Sequence, residues 1–231
     1  MSDPRRPAIS SDQGATAPGG HRVASVAWLV VALLGFAGFV LLTWLVATQS
    51  RIPFDQPLLD LARGWDRYFD LWNLISNAAN LPMIGLGVGI VLWTFWKHRP
   101  RQGILVTVVL ATVTAGIEAV KQLVARPRPP GSETVVPGVV YSFPSGHVLE
   151  AVTILGIIAI LVWRSSLPLS ARRAFAIAVA IFVAMVAVAR VAINAHYPSD
   201  VLAGYLAGIA VLAIFARLTR PAGEGSASTP R

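Results

Sequence analysis

The stretch Arg190-Val-Ala-Ile-Asn-Ala-His196-Tyr-Pro-Ser-Asp200 stands between two apolar runs, residues 174–189 and 201–215. A polar turn between runs of that length reads as the link between two membrane helices, and this reading sets the fold class of the whole chain. Tyr197-Pro198-Ser199-Asp200 then opens the later helix, because proline suits a first helical turn and aspartate suits a helix N-terminus. Two upstream stretches repeat the arrangement. Lys121-Gln-Leu-Val-Ala-Arg-Pro-Arg128-Pro129 closes one apolar run, and Pro144-Ser-Gly-His147 opens another.

Working outward, apolar runs at 23–47, 81–96, 103–125 and 148–163 bring the total to six. A membrane helix needs about 20 mainly apolar residues. The runs 23–47 and 103–125 have that length outright. The others reach it by recruiting polar residues at their ends, and those ends hold the motifs. Composition agrees: mean hydropathy is +0.65 and only 13% of the 231 residues are charged, against roughly 25% in soluble domains. The expectation is an all-α integral membrane protein with six transmembrane helices.

Residues 51–80 are expected as an interfacial helical segment between spans one and two. Apolar residues recur there at three and four among Asp55, Asp60, Arg63, Asp66, Arg67 and Asp70, and Trp65, Tyr68 and Trp72 suit the headgroup layer. Residues 1–22 and 219–231, rich in Pro, Ser, Gly and Ala, are expected as disordered cytoplasmic tails around one domain at 23–218. The run 23–47 is longer than the roughly 7–15 residues of a signal-peptide core, so it reads as an uncleaved first helix.

Charge sets the orientation. With the N-terminus inside, 12 of the 19 Lys and Arg residues face inward, which favours two cytoplasmic termini. All three motifs then meet on the outer face. The alanine-rich, arginine-over-lysine composition points to a bacterial gene. The expected location is therefore a bacterial inner membrane, with the site on the periplasmic side. The net charge of +8 sits in short loops, with no basic stripe interleaved with exposed aromatics, which argues against a nucleic-acid partner. The chain has no cysteine, which excludes disulfides, thiol catalysis and cysteine metal sites. His21 and His98 show no metal-ligand spacing to His147 and His196, so no metal and no cofactor are expected.

The three motifs together suit phosphoryl transfer, where catalysis is mostly positioning and charge stabilisation. Lys121, Arg128 and Arg190 supply three positive charges, the arginines as bidentate forks and the lysine as a point charge. Ser145 and Gly146 start a helix after Pro144, and a helix N-terminus offers unpaired N–H donors to an anion. An imidazole with a pKa near 6.5 serves as nucleophile or acid around neutrality. Asp200, four residues after His196, can orient that ring and leave its other nitrogen to attack phosphorus. His147 can protonate the leaving oxygen, and water then hydrolyses the phosphohistidine. Other residues have competing readings. Glu118 partners Lys121 or sits in a wet cavity. Glu150 tunes His147, binds a headgroup amine or hydroxyl, or is a solvated helix-end residue. Arg126 reads as a rim residue facing water, ahead of a helper for a second phosphate, and Gly85, Gly87 and Gly89 read as packing positions rather than a phosphate cradle.

These residues resemble the type 2 phosphatidic acid phosphatase family, with its pattern Lys-x6-Arg-Pro, Pro-Ser-Gly-His and Ser-Arg-x5-His-x3-Asp. The resemblance runs over 114–208, and the six-span layout extends it. Vanadium-dependent haloperoxidases share the pattern but are soluble, so this apolar chain is more similar to the lipid phosphatase branch. The resemblance implies a metal-independent phosphatase. It implies phosphate binding by Lys121, Arg128 and Arg190, assisted by Ser145 and Gly146. It further implies His196 as nucleophile, Asp200 as its orienter and His147 as general acid. One position departs: Ala189 stands where the family usually has serine, so that hydroxyl is missing.

The expected substrate is a lipid phosphate or diphosphate, with undecaprenyl diphosphate favoured and phosphatidate or phosphatidylglycerol phosphate as the other candidates. A phosphotransferase, or a non-catalytic anion or lipid transporter, is the alternative. A transporter needs neither histidine, and such folds often carry internal repeats, which this sequence lacks. Oligomeric state is not encoded in any motif.

Overall fold

The computed structural model describes residues 19–49, 52–97, 99–132 and 141–219. His98, residues 1–18 of the expected N-terminal tail, and 220–231 of the C-terminal tail lie outside them, as does the side chain of His21. The described residues form eight α-helices in order: α1 Gly19–Thr48, α2 Asp55–Arg63, α3 Phe69–Ala78, α4 Leu81–Trp96, α5 Pro100–Val124, α6 Gly146–Trp163, α7 Leu169–Ala192 and α8 Pro198–Leu218. A short 3-10 turn, Asp66–Tyr68, joins α2 to α3. Among the described residues there is no strand, only an isolated bridge between Pro127 and Tyr141. Helix α1 starts at Gly19, inside the range expected for the tail, because extending an existing helix by a turn is cheap once it is nucleated.

Among the described residues, six segments have the length and apolarity of membrane spans: Val26–Thr48, Phe69–Trp96, Pro100–Val124, Gly146–Trp163, Leu169–Ala192 and Pro198–Leu218. The second starts at Phe69, earlier than its hydropathy run at 81, because α3 leads directly into α4. Pro82 sits in the first turn of α4, where its missing N–H costs no helical bond. Only α2 and the 3-10 turn therefore remain between spans one and two. Trp65, before the second span, packs its ring on Trp72 of α3 with centroids 6.0 Å apart. The outer face of α1 shows what these helices present to lipid: Leu34, Phe36 and Trp44 are each more than half exposed.

Helix α8 is the hub, with α1 along one side and α6 along the other, while α7 packs on α6, α4 on α5 and α3 on α7. Close approach of α8 to its neighbours depends on small residues, as expected where lipid tails remove the hydrophobic drive between helices. Gly204 and Gly208 are one turn apart. A Cβ on Gly204 would stand 2.8 Å from the Ser145 carbonyl oxygen, and one on Gly208 would stand 2.6 Å from a Val152 methyl. Gly156 of α6 returns the fit against Leu212. Of the α4 glycines, only Gly87 faces neighbours, with Leu110 3.3 Å and Ile154 3.5 Å from its Cβ position; Gly85 and Gly89 face open space.

The alternation of direction along α5, α6, α7 and α8 brings the ends of α5 and α7 to the same face as the starts of α6 and α8. All three motifs lie on that face. Gly204 seats the start of α8 against the start of α6, so Gly204→Val should separate them. The expected outcome is a loss of about 1–3 kcal/mol from overpacking, seen as a lower melting temperature in detergent, with Gly85→Val close to wild type as the control.

Candidate active site

The site is assembled from helix ends. Lys121 lies in the last turn of α5 and Arg190 in the last turn of α7. Ser145 is the N-cap of α6, and Gly146 and His147 form its first turn. Asp200 lies in the first turn of α8, with His196 just before it. Arg128 comes from the loop after α5. The structure brings all eight sequence-predicted site residues to one region. The Lys121 Nζ is 4.0 Å from the Cβ position of Gly146. His147 is within Coulomb range of Arg190, His196, Lys121 and Arg128.

His196 is 1% exposed. Its Nε2 lies 3.4 Å from an Arg128 guanidinium nitrogen, which also donates to the Ala195 carbonyl at 2.6 Å. A guanidinium carries only donors, so the ring nitrogen it meets is the unprotonated one. That assigns the hydrogen to Nδ1, which faces Asp200 Oδ2 at 3.5 Å. The distance is longer than a hydrogen bond, because both carboxylate oxygens are engaged elsewhere. Oδ2 accepts the Tyr197 N–H at 2.9 Å and Oδ1 accepts Arg126 at 2.6 Å. Burial first, then the charges of Arg190, Arg128 and Lys121, hold the His196 pKa well below its ordinary 6.5. The ring is neutral at physiological pH and keeps its lone pair.

At the start of α6 the donors divide. The Ser145 N–H is committed to the Asp200 carbonyl at 3.0 Å, which ties the α6 and α8 starts together. It is therefore not one of the open amides expected from the sequence. The Gly146 and His147 amides belong to a first turn with no intrahelical acceptor. Ser145 Oγ is buried with no protein partner among the described residues, as is Nε of Arg190. Arg190 is 3% exposed, and its other end donates to Ser76 Oγ of α3 at 2.6 Å. Ala189 offers no hydroxyl, and the hydroxyl that Arg190 meets comes from Ser76 of α3.

Three residues escaped the sequence reading. Arg126 is a bridge rather than a water-facing rim residue. It donates to Asp55 Oδ2 and Asp200 Oδ1, both at 2.6 Å, and to Ser199 Oγ at 2.7 Å, and its guanidinium lies 4.0 Å from the Tyr197 ring centroid. Burial opposes its charge, but Asp200 and Asp55 outweigh that and raise its pKa. Asp55, at the start of α2, is 4% exposed and accepts the Ser199 N–H at 2.8 Å and its hydroxyl at 2.7 Å. The third residue is Ser76. Distant pairing of this kind leaves no local spacing to read; an aspartate opening an amphipathic helix was the only signal. Glu118 accepts from Gln122 at 2.8 Å and feels Lys121 at longer range. Glu150 lines a cavity of about 180 Å³ between α4, α5 and α6, beside Thr153, rather than open water.

The sequence pattern of the PAP2 superfamily matches residues 102–224. The chain belongs to that superfamily. Two solved structures share the fold. One is the first transmembrane PAP2-type phosphatidylglycerolphosphate phosphatase, from Bacillus subtilis, with TM-score 0.69 and 22% identity over 80% of this chain and 93% of that one. The other is LpxE from Aquifex aeolicus, with TM-score 0.53 and 16% identity over 71% of this chain and 95% of that one. No curated protein matches the sequence significantly. This PAP2 chain is thus a multi-pass membrane protein built on the fold of those two structures.

Two outcomes follow. Arg126→Gln leaves Asp55 and Asp200 buried without their cation and should cost about 3–5 kcal/mol. Pairing it with Asp55→Asn should cost less than the sum, measured by thermal unfolding in a double-mutant cycle. The folded protein excludes a proton that unfolded His196 takes up below about pH 6.5. Stability from that source is present above pH 6.5 and lost as pH falls. The melting temperature should therefore drop more between pH 7 and 5 in wild type than in His196→Asn.

Proposed function

We propose that this PAP2 chain is a metal-independent lipid phosphatase that works through a phosphohistidine. The observation that carries the reading is the contact of Arg128 with the lone-pair nitrogen of His196. A phosphate oxygen held by that guanidinium lies against the nucleophile. Lys121, Arg190, Ser145 Oγ and the Gly146 amide surround the same point and suit the remaining oxygens.

In the first step the His196 Nε2 lone pair forms a bond to phosphorus as the bond to the lipid oxygen breaks. His147 gives its proton to that oxygen, since the negative charge of the phosphate favours the protonated ring. Asp200 stabilises the imidazolium across Nδ1. In the second step water attacks phosphorus, its proton passes to His147, the P–N bond breaks and phosphate leaves. Fixed cations supply the charge stabilisation that a metal provides in other phosphatases.

The lipid nature of the substrate follows from where these residues stand, at the ends of membrane spans. The preferred substrate is an undecaprenyl-type diphosphate, ahead of phosphatidate and phosphatidylglycerol phosphate. The Lys and Arg bias supports cytoplasmic termini in a bacterial inner membrane and a site facing outward.

Purified protein in detergent with excess chelator should release inorganic phosphate from at least one of these three lipids. His196→Ala should reduce release by several orders of magnitude, and acid quenching of wild type should trap labelled phosphoenzyme. Release that requires added metal, or that survives in His196→Ala, contradicts the mechanism. Transfer to an acceptor in place of release points to the phosphotransferase.

A further inference from the structure

On the face opposite the two histidines, the ends of α4, α5, α6 and α8 enclose a cavity of about 800 Å³. Arg99, Arg101 and Arg164 contribute three guanidinium groups to its lining, and among the described residues no Asp or Glu lines it. Arg164 also shapes the wall, donating to the Ala216 and Thr219 carbonyls at 2.8 and 3.0 Å and so capping the end of α8. Trp93, Leu105 and Leu161 form the side toward the membrane interior. The cavity is cationic at its mouth and apolar beneath.

Its height in the membrane matches a headgroup. Trp96 and Trp163 end α4 and α6 at the same level and are 70% and 47% exposed, as aromatic side chains at a membrane interface are. Lys97 lies 4.6 Å from the Trp96 ring centroid, and Arg172 lies 5.9 Å from that of Trp163. Basic pockets between span ends at this depth attract anionic lipid headgroups. Inorganic phosphate would use only the cationic mouth, whereas a phospholipid uses the apolar wall as well.

We propose that this cavity binds the headgroup phosphate of an anionic phospholipid, in the leaflet away from the candidate active site. The lipid is a structural ligand there and not a substrate, because the histidines lie at the other end of the bundle. Arg99 and Arg101 grip the phosphodiester, and the first acyl carbons pack on Trp93 and Leu161.

The test is native mass spectrometry of the purified full chain, delipidated and titrated with phosphatidylglycerol, phosphatidylcholine or inorganic phosphate. Phosphatidylglycerol is a diester with no phosphomonoester to cleave. Wild type should retain it over phosphatidylcholine by roughly tenfold, and Arg99→Gln/Arg101→Gln should remove that preference. Arg173→Gln lies on the same face outside the cavity and should leave retention unchanged. Equal retention of the two lipids overturns the proposal, as does an equal loss in Arg173→Gln, which would mean diffuse surface charge. Inorganic phosphate displacing the lipid at equal affinity overturns it too, since the site would then take a free anion.

Discussion

Arg126 is the contact on which the rest of the site depends. One guanidinium joins Asp55 at the start of α2 to Asp200 at the start of α8, and stacks on Tyr197 between them. Removing charges from water is costly, and their attraction offsets that only when geometry is good and remaining lone pairs are occupied. Here they are occupied. Asp55 takes the Ser199 amide and hydroxyl, and Asp200 takes the Tyr197 amide. The network holds the turn before α8 in one shape, and His196 sits in that turn. Arginine suits this role better than lysine because its planar fork reaches two carboxylates at once.

The same network explains an uneven charge balance around His196. Arg126 offsets part of the charge of the two carboxylates, while burial and then the charges of Arg190, Arg128 and Lys121 keep the proton off the ring. Arg128 donates to a backbone carbonyl, Arg190 donates to Ser76, and Lys121 feels the field of Glu118 and Glu150.

Glycine makes this arrangement geometrically accessible. Without a Cβ at Gly204, the start of α8 rests on the Ser145 carbonyl, and the Ser145 amide reaches the Asp200 carbonyl. Two motifs far apart in sequence thereby share a backbone hydrogen bond. Lipid-facing leucines and phenylalanines on α1 contribute nothing to that register. They decide only that the bundle lies in a bilayer.

What the sequence determined by itself was set by local chemistry. Apolar runs long enough to cross a membrane fixed the number of spans, since backbone in lipid must satisfy its own hydrogen bonds. Motifs at the ends of those runs assigned eight residues to one face, because consecutive spans alternate in direction. What only the tertiary structure decided was pairing. Arg126 looked like a rim residue because its partners, Asp55 and Asp200, are each more than seventy positions away. Ser76 gave no signal, since its use depends on α3 lying beside α7. The second span began earlier than its hydropathy suggested because α3 and α4 follow one another across a two-residue turn at Ala79 and Asn80, so polar residues that interrupt the apolar run do not end the span. Hydropathy and spacing are local quantities. Ion pairs and hydrogen bonds between distant segments exist only once the helices have packed.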